Sequence, residues 1–208
     1  MKIKLSAAGK RFNREWIFRK ADLEFNSGMA CAVTGPNGSG KSTLLQCIGG
    51  MLQLSEGGME FEKNGKTISP ENVYKEISFC APYLDVIEEM TLLEFLEFHG
   101  QFKNYIQGIS MQNIIEKIGL EAAAHKQIRF YSSGMKQRVK LAQAIFSDVS
   151  IILLDEPCSN LDQKGVDLYH SLVSKYCMDR LVMVCSNDPI EYSFCEKVIN
   201  ITTYKSQA

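Results

Sequence analysis

No stretch of the 208-residue chain is apolar for long enough to cross a bilayer: unbroken runs such as 151–154 and 181–185 fall far short of the roughly 20 residues a membrane helix needs. Any membrane connection is therefore expected to run through another protein. The first ten residues alternate Lys and Ser with apolar residues and hold no hydrophobic signal region, so the cytoplasm is the expected compartment. Lys and Arg (23) do not outnumber Asp and Glu (24), and the formal net charge is -1. The basic field that accompanies nucleic-acid binding is missing, and DNA or RNA is not an expected partner. The seven cysteines include no C-x-x-C pair, which argues against a disulfide framework and against a zinc site. Small buried thiols in a reducing compartment are the expectation. Internal repeats, low-complexity tracts and Pro/Ser-rich linkers are also absent.

What remains is an ordinary globular composition, 45% hydrophobic and 23% charged, enough to bury a sizeable core. Residues 2–34 read as two or three strands: Ile3 and Leu5 alternate with polar neighbours, Trp16-Ile17-Phe18 is an apolar cluster, and Leu23 and Phe25 precede a turn at 26–28. A short apolar strand, 29–34, feeds a glycine-rich loop, then a helix over 41–51 closed by Gly49 and Gly50. From about 84 to 131 the period turns helical, with Leu92, Leu93, Leu96 and Ile114, Ile115, Ile118 at i, i+3/i+4 spacing. A helix over 135–146, a strand over 151–154, a helix over 164–177 and a strand over 181–185 follow. Strands alternating with helices predict an α/β fold with a parallel sheet covered on both faces.

Gly35-Pro36-Asn37-Gly38-Ser39-Gly40-Lys41-Ser42-Thr43 fits G-x-x-x-x-G-K-[ST] completely. The glycines let the backbone curl so that successive N–H groups aim at a polyphosphate, and the helix starting at Lys41 adds its positive dipole end. Lys41 is expected to reach the β- and γ-phosphates, the Ser42 hydroxyl to ligate Mg²⁺, and Thr43 to add a phosphate hydrogen bond. Asp155 and Glu156 stand side by side at the end of a buried strand, where ligands sit in open α/β sheets. Neighbouring side chains on a strand point opposite ways, so the two acids are expected to divide the work. Asp155 would hold Mg²⁺ and Glu156 would polarise the attacking water.

With Tyr131-Ser132-Ser133-Gly134-Met135 between the phosphate loop and Leu154-Asp155-Glu156-Pro157, nearly the whole chain resembles the ABC ATPases, cassettes of the P-loop NTPase superfamily. The resemblance implies that Ser132, Ser133, Gly134 and Met135 form the signature that contacts the γ-phosphate held by an opposite subunit. Ser133 stands at the first glycine of the usual L-S-G-G-Q and Met135 at its glutamine. A plain serine N-cap for the next helix is a compatible reading. Ser159-Asn160-Leu161-Asp162 resembles the family's D-loop, although a capped turn would look the same. Phe12 sits where the family places an adenine-stacking aromatic; Trp16 competes for that role, and a core position is open to either.

Two polar switches of the family are missing. Pro82, followed by Tyr83, occupies the Q-loop glutamine position, and proline carries neither a side-chain amide nor an N–H. Asn187 stands where the family usually has a histidine; it can donate to a γ-phosphate but cannot become a cation. Slow hydrolysis is the expectation, because one preorganised donor is worth on the order of 10² to 10³ in rate.

The resemblance implies one nucleotide-binding domain, core 1–83 and 135–208 with a helical subdomain at about 84–134, and an antiparallel N-terminal portion near the adenine. ATP and Mg²⁺ are the implied ligands. A head-to-tail homodimer with two ATPs at its interface, docked on a separate transmembrane permease, is the implied working form. A permease helix is expected between core and helical insert, and Asp85, Glu88, Glu89, Glu94 and Glu97 make that stretch acidic, suiting a partly basic helix; a solvated acidic face is the alternative. The short chain resembles small exporter-type cassettes, including those linked to haem export. A dimerising scaffold with little turnover and a soluble, non-transport ABC ATPase are the other readings.

Overall fold

A computed structural model describes residues 1–205. The chain opens with a long antiparallel hairpin, β1 (Lys2–Phe12) and β2 (Glu15–Asn26), in which Ile3 pairs with Phe25 and Leu5 with Leu23. Then come β3 (Ala30–Thr34), α1 (Lys41–Ile48), β4 (Glu56–Lys63), β5 (Lys66–Thr67), the short α2 (Pro70–Val73) and β6 (Ile77–Cys80). The insert carries α3 (Leu92–Gly100) and α4 (Met111–Lys117), and the second half runs α5 (Ser133–Phe146), β7 (Ile151–Asp155), α6 (Gln163–Tyr176), β8 (Leu181–Cys185) and β9 (Lys197–Asn200).

The strands form two sheets. A parallel sheet has the order β6-β7-β8-β3-β9, and an antiparallel sheet has the order β2-β1-β4-β5. The antiparallel part is thus not purely N-terminal: half its strands lie after α1, in a segment whose exposed charged face hides the alternation of Met59 and Phe61. Helix α1 stops at Ile48, short of the expected 51, because Gly50 turns to φ +76 and the Gln46 carbonyl takes the N–H groups of Met51 and Leu52.

The central strands β7 and β8 are buried along their whole length, so their apolar runs serve both faces of the sheet. Ile151 and Leu153 pack with Leu44, Leu45, Ile48, Phe18 and Phe25, between the two sheets. Ile152 and Leu154 point the other way, into a cluster with Val139, Ala142 and Leu172 that continues into the insert through Phe95 and Ile114. Two capping boxes start the insert helices, Thr91 with Glu94 and Ser110 with Asn113. All seven cysteines are free; Cys158 and Cys195 are half-buried and the others fully buried.

Arg180, just before β8, ties the ends of two helices together. Its guanidinium donates to the carbonyls of Ile145 and Ser147 at the end of α5 and of Tyr176 at the end of α6. Arg180→Met should leave those carbonyls unpartnered and lower stability by about 2–4 kcal/mol, read as a lower urea midpoint with an unchanged m-value.

Candidate functional site

The loop between β3 and α1 closes on itself. Gly35 and Gly40 have φ of +145° and +105°, and a Cβ on Gly40 would come within 2.4 Å of Ile17 Cγ2. The Lys41 ammonium folds into the loop and donates to the carbonyls of Gly35 (2.7 Å) and Pro36 (3.2 Å). The Ser39 hydroxyl is buried inside without a partner. Residues 37–43, with Ile17 from β2 and Glu156 from the end of β7, line a cavity of about 230 Å³ at the start of α1. A curled glycine loop with a cation inside it at a helix N-terminus suits a polyphosphate.

Asp155 ends β7 with 2% of its surface exposed, and neither carboxylate oxygen has a hydrogen-bond partner. Burial raises its pKa, the adjacent Glu156 charge adds to the rise, and the nearby Ser42 and Tyr83 hydroxyls and Lys41 offset part of it. A bare buried carboxylate beside a serine hydroxyl is an oxygen donor set for a hard cation, so these residues fit Mg²⁺. Among the described residues no cluster of three or more His, Cys, Asp or Glu side chains could cage a metal by itself. An ion here would complete its shell with phosphate and water, as Mg²⁺ commonly does. Glu156 is exposed and held at φ +43°, a conformation few non-glycine residues adopt. Its N–H donates to the Cys185 carbonyl of β8 (2.9 Å), which extends the ladder by one residue and turns the side chain toward the phosphate cavity.

The residues at the two switch positions lie on two loops, after β6 and after β8. Pro82 and Tyr83 follow β6; the Tyr83 hydroxyl faces Asp155 and Gln46, and burial pushes its pKa up to about 12, so it stays a protonated donor. Asn187 follows β8, and its amide donates to the Asn37 side-chain oxygen (2.7 Å) in the phosphate loop. Asn187 therefore already reaches across the cavity.

The other expected site residues lie elsewhere. Ser132 is the N-cap of α5, accepting from the Met135 N–H (3.2 Å), and Ser133 opens the helix. A Cβ on Gly134 would stand 3.0 Å from the Asn160 carbonyl, so the glycine lets this turn lie against the D-loop segment. Ser132–Met135 and Asn160, Leu161 and Asp162 share a cavity of about 430 Å³ that contains no phosphate-loop residue. Asp162 caps α6 by accepting from the Gly165 N–H (2.8 Å), and the Ser159 hydroxyl lies 3.5 Å from a Glu156 carboxylate oxygen. Neither adenine candidate is in the core: Phe12 is 45% exposed, while Trp16 is half-buried with the guanidinium groups of Arg11 and Arg19 over its ring at 5.5 and 4.4 Å. The Lys10 ammonium stands over the Phe12 ring at 5.0 Å in the same way, so the two candidates differ in exposure and not in having a cation partner. Ile17, which packs on Gly40, was hidden in the sequence inside an ordinary apolar strand.

The acidic stretch differs from expectation. Glu88 pairs with Lys136 and Glu94 is spent on its capping box, and neither they nor Asp85, Glu89 and Glu97 line the cleft between core and insert. That cleft, about 280 Å³, is lined by Met51, Tyr74, Phe79, Leu84 and His99, with Lys103 bound to the carbonyls of Tyr74 and Ile77. Burial pushes the His99 pKa down to about 4, so the imidazole is neutral.

A family profile described as "ABC transporter" matches residues 18–159, more than half of the chain. The chain belongs to the ABC transporter family. Similar curated proteins include an uncharacterized ABC transporter ATP-binding protein of Bacillus subtilis, 33% identical over 79% of this chain and 75% of its own length. A cytochrome c biogenesis ATP-binding export protein of Xylella fastidiosa is 32% identical over 74% of this chain and 69% of its own. A dimeric ATP-binding cassette solved in a post-hydrolysis state with ADP and Pi superimposes with a TM-score of 0.82 at 25% identity, covering 96% of this chain and 94% of that one. A putative ABC transporter ATP-binding protein from Pyrococcus furiosus gives 0.83 at 20% identity, covering 99% and 100%. This ABC cassette is an ATP-binding, ATP-hydrolysing transporter subunit, and none of its described helices is long and apolar enough to cross a membrane.

Because Gly40 sits against Ile17 at a left-handed φ, Gly40→Ala should weaken ATP binding on the order of tenfold or more while the fold survives. Titration of the single Trp16 fluorescence with ATP, beside a thermal melt, checks both halves of that expectation.

Proposed function

We propose that the cassette binds MgATP in the phosphate-loop cavity and hydrolyses it with Glu156 as general base, in a head-to-tail pair of chains docked on a separate permease at the cytoplasmic face of a membrane. The observation that carries this is the division of the site. Lys41, Ser42 and Glu156 line one cavity, with Asp155 buried beside Ser42, whereas Ser132–Met135 open onto another that shares no residue with it. A two-fold pair that brings one chain's signature onto the other's phosphate loop completes both sites at once.

In this reading Lys41 leaves the carbonyls of Gly35 and Pro36 and turns to the β- and γ-phosphate oxygens, while the freed Ser39 hydroxyl gains an acceptor. Ser42 and Asp155 would hold Mg²⁺, which would supply charge neutralisation to the polyphosphate. Glu156 accepts a proton from the water whose oxygen attacks the γ-phosphorus, with ADP as leaving group. Asn187 exchanges Asn37 for a γ-phosphate oxygen and donates without bringing a positive charge. The Tyr83 hydroxyl substitutes for the missing glutamine amide as a donor near the metal ligands. Phe12 offers adenine a π face without base-specific hydrogen bonds.

The apolar cleft beside Met51, Tyr74 and Phe79 suits a short permease helix anchored by apolar side chains, rather than one selected by charge alone. An ATP-dependent scaffold with little turnover is a second reading, favoured by the neutral Asn187 and by Pro82.

Steady-state MgATP hydrolysis should rise faster than linearly with protein concentration. Lys41→Ala and Glu156→Gln should each lower it by about 10² or more, and Asn187→His should raise it severalfold, toward the worth of one charged donor. Tyr83→Phe should lower kcat by roughly tenfold if the hydroxyl acts at the metal ligands. Native turnover no higher than that of Glu156→Gln would favour the scaffold.

A further inference from the structure

Two buried polar side chains outside the phosphate cavity grip one peptide unit. The Pro157 carbonyl accepts from the Gln137 amide at 2.7 Å, and the Cys158 N–H of that same peptide plane donates to a Glu191 carboxylate oxygen at 2.7 Å. Gln137 is 2% exposed and Glu191 5%. The second Glu191 oxygen is buried with no partner. Holding a carboxylate there is costly, and burial raises its pKa. The carboxylate is nonetheless held firmly: the buried Tyr169 hydroxyl donates to the Glu191 main-chain carbonyl at 2.8 Å, and Asp188 caps the turn that carries it.

The gripped peptide begins one residue after Glu156, whose φ of +43° persists only if its surroundings over-determine it. A peptide plane fixed at both its carbonyl and its N–H cannot rotate, and that removes the easiest relaxation open to the strained residue. Gln137 lies three residues beyond Gly134 on the signature helix α5, and Glu191 lies four residues beyond Asn187. The grip therefore links three segments: the signature helix, the strand end that bears the general base, and the loop that reaches for phosphate.

We propose that Gln137 and Glu191 are positioning residues for hydrolysis, a two-sided clamp on the Pro157–Cys158 peptide that sets the aim of Glu156 and keeps it in register with Asn187 and the signature. This rests on Glu156 acting as the general base. A small misplacement of a catalytic group costs on the order of 10²-fold in rate, so a clamp that touches no substrate still sets kcat.

Kinetics of the full chain test it, each variant with its thermal midpoint. Gln137→Leu and Glu191→Ala should each lower kcat by roughly 10- to 100-fold with KM for MgATP changed by less than about twofold. Glu191→Gln should keep most of the rate, because its amide oxygen accepts from the same Cys158 N–H. The double variant Gln137→Leu/Glu191→Ala should be no slower than about the slower single variant, since both release one peptide. Native kcat in both single variants, or a double variant that loses the product of the two separate losses, would overturn the clamp. If Glu191→Ala does not fold, Gln137→Leu and Glu191→Gln decide alone: native kcat in the first, or a loss in the second as large as that in Gln137→Leu, overturns it. Glu156→Gln run in parallel separates the layers. Turnover in that variant removes the general-base reading and the clamp's purpose with it, whereas an inactive Glu156→Gln beside a native-like Gln137→Leu removes the clamp alone.

Discussion

Three parallel strands lying side by side, β3, β8 and β7, are the constraint on which the rest of the molecule depends. Their C-terminal ends deliver the phosphate loop, Asn187 and the Asp155–Glu156 pair to one edge of the sheet, within reach of one ligand. Pairing is continuous up to the site itself: Asp155 is in register with Cys185, and Glu156 donates to that same residue's carbonyl. The opposing orientations of successive side chains then send Asp155 into the interior beside Ser42 and leave Glu156 at the surface. The division of labour proposed for the two acids rests on that strand geometry.

Several polar groups of the site have no side-chain or main-chain partner, or partner only with the phosphate loop itself. Ser39 and Asp155 are buried and unpartnered, Glu156 is strained, and Lys41 and Asn187 make hydrogen bonds to the loop they are meant to serve. Phosphate oxygens and a hard cation are the partners that these buried polar groups suit. Ser132–Met135 are held apart from the phosphate loop, packed on the Asn160 carbonyl around their own cavity. In the proposed head-to-tail pair, that separation would make hydrolysis answer to assembly.

Much of this was legible in the sequence where a residue's role depends on its near neighbours. Gly35 to Thr43 carry their own geometry, since glycine spacing dictates a curled backbone whatever surrounds it. The buried runs of β7 and β8 announced a sheet covered on both faces, and Ser132 announced an N-cap. Strands β4 and β5 were not legible, because one face of β4 is solvent-exposed and charged and β5 is only two residues long. The contacts of Gln137 and Glu191 were not legible for a different reason. Each acts on a peptide 20 or 33 residues away, and nothing in local pattern distinguishes a buried clamp from a polar surface residue. The acidic stretch lies off the cleft between core and insert: Glu88 and Glu94 have local partners, and Asp85, Glu89, Glu94 and Glu97 are exposed, as in a solvated acidic face.

The most direct test of a site divided between two chains is the solution mass of the Glu156→Gln protein, measured by light scattering with and without saturating MgATP. Two half-sites that complete each other predict monomer without nucleotide and a dimer holding two ATPs with it, and the dimer should disappear when Gly134 is replaced by a bulky residue. A protein that binds ATP stoichiometrically yet stays monomeric at every concentration would contradict it.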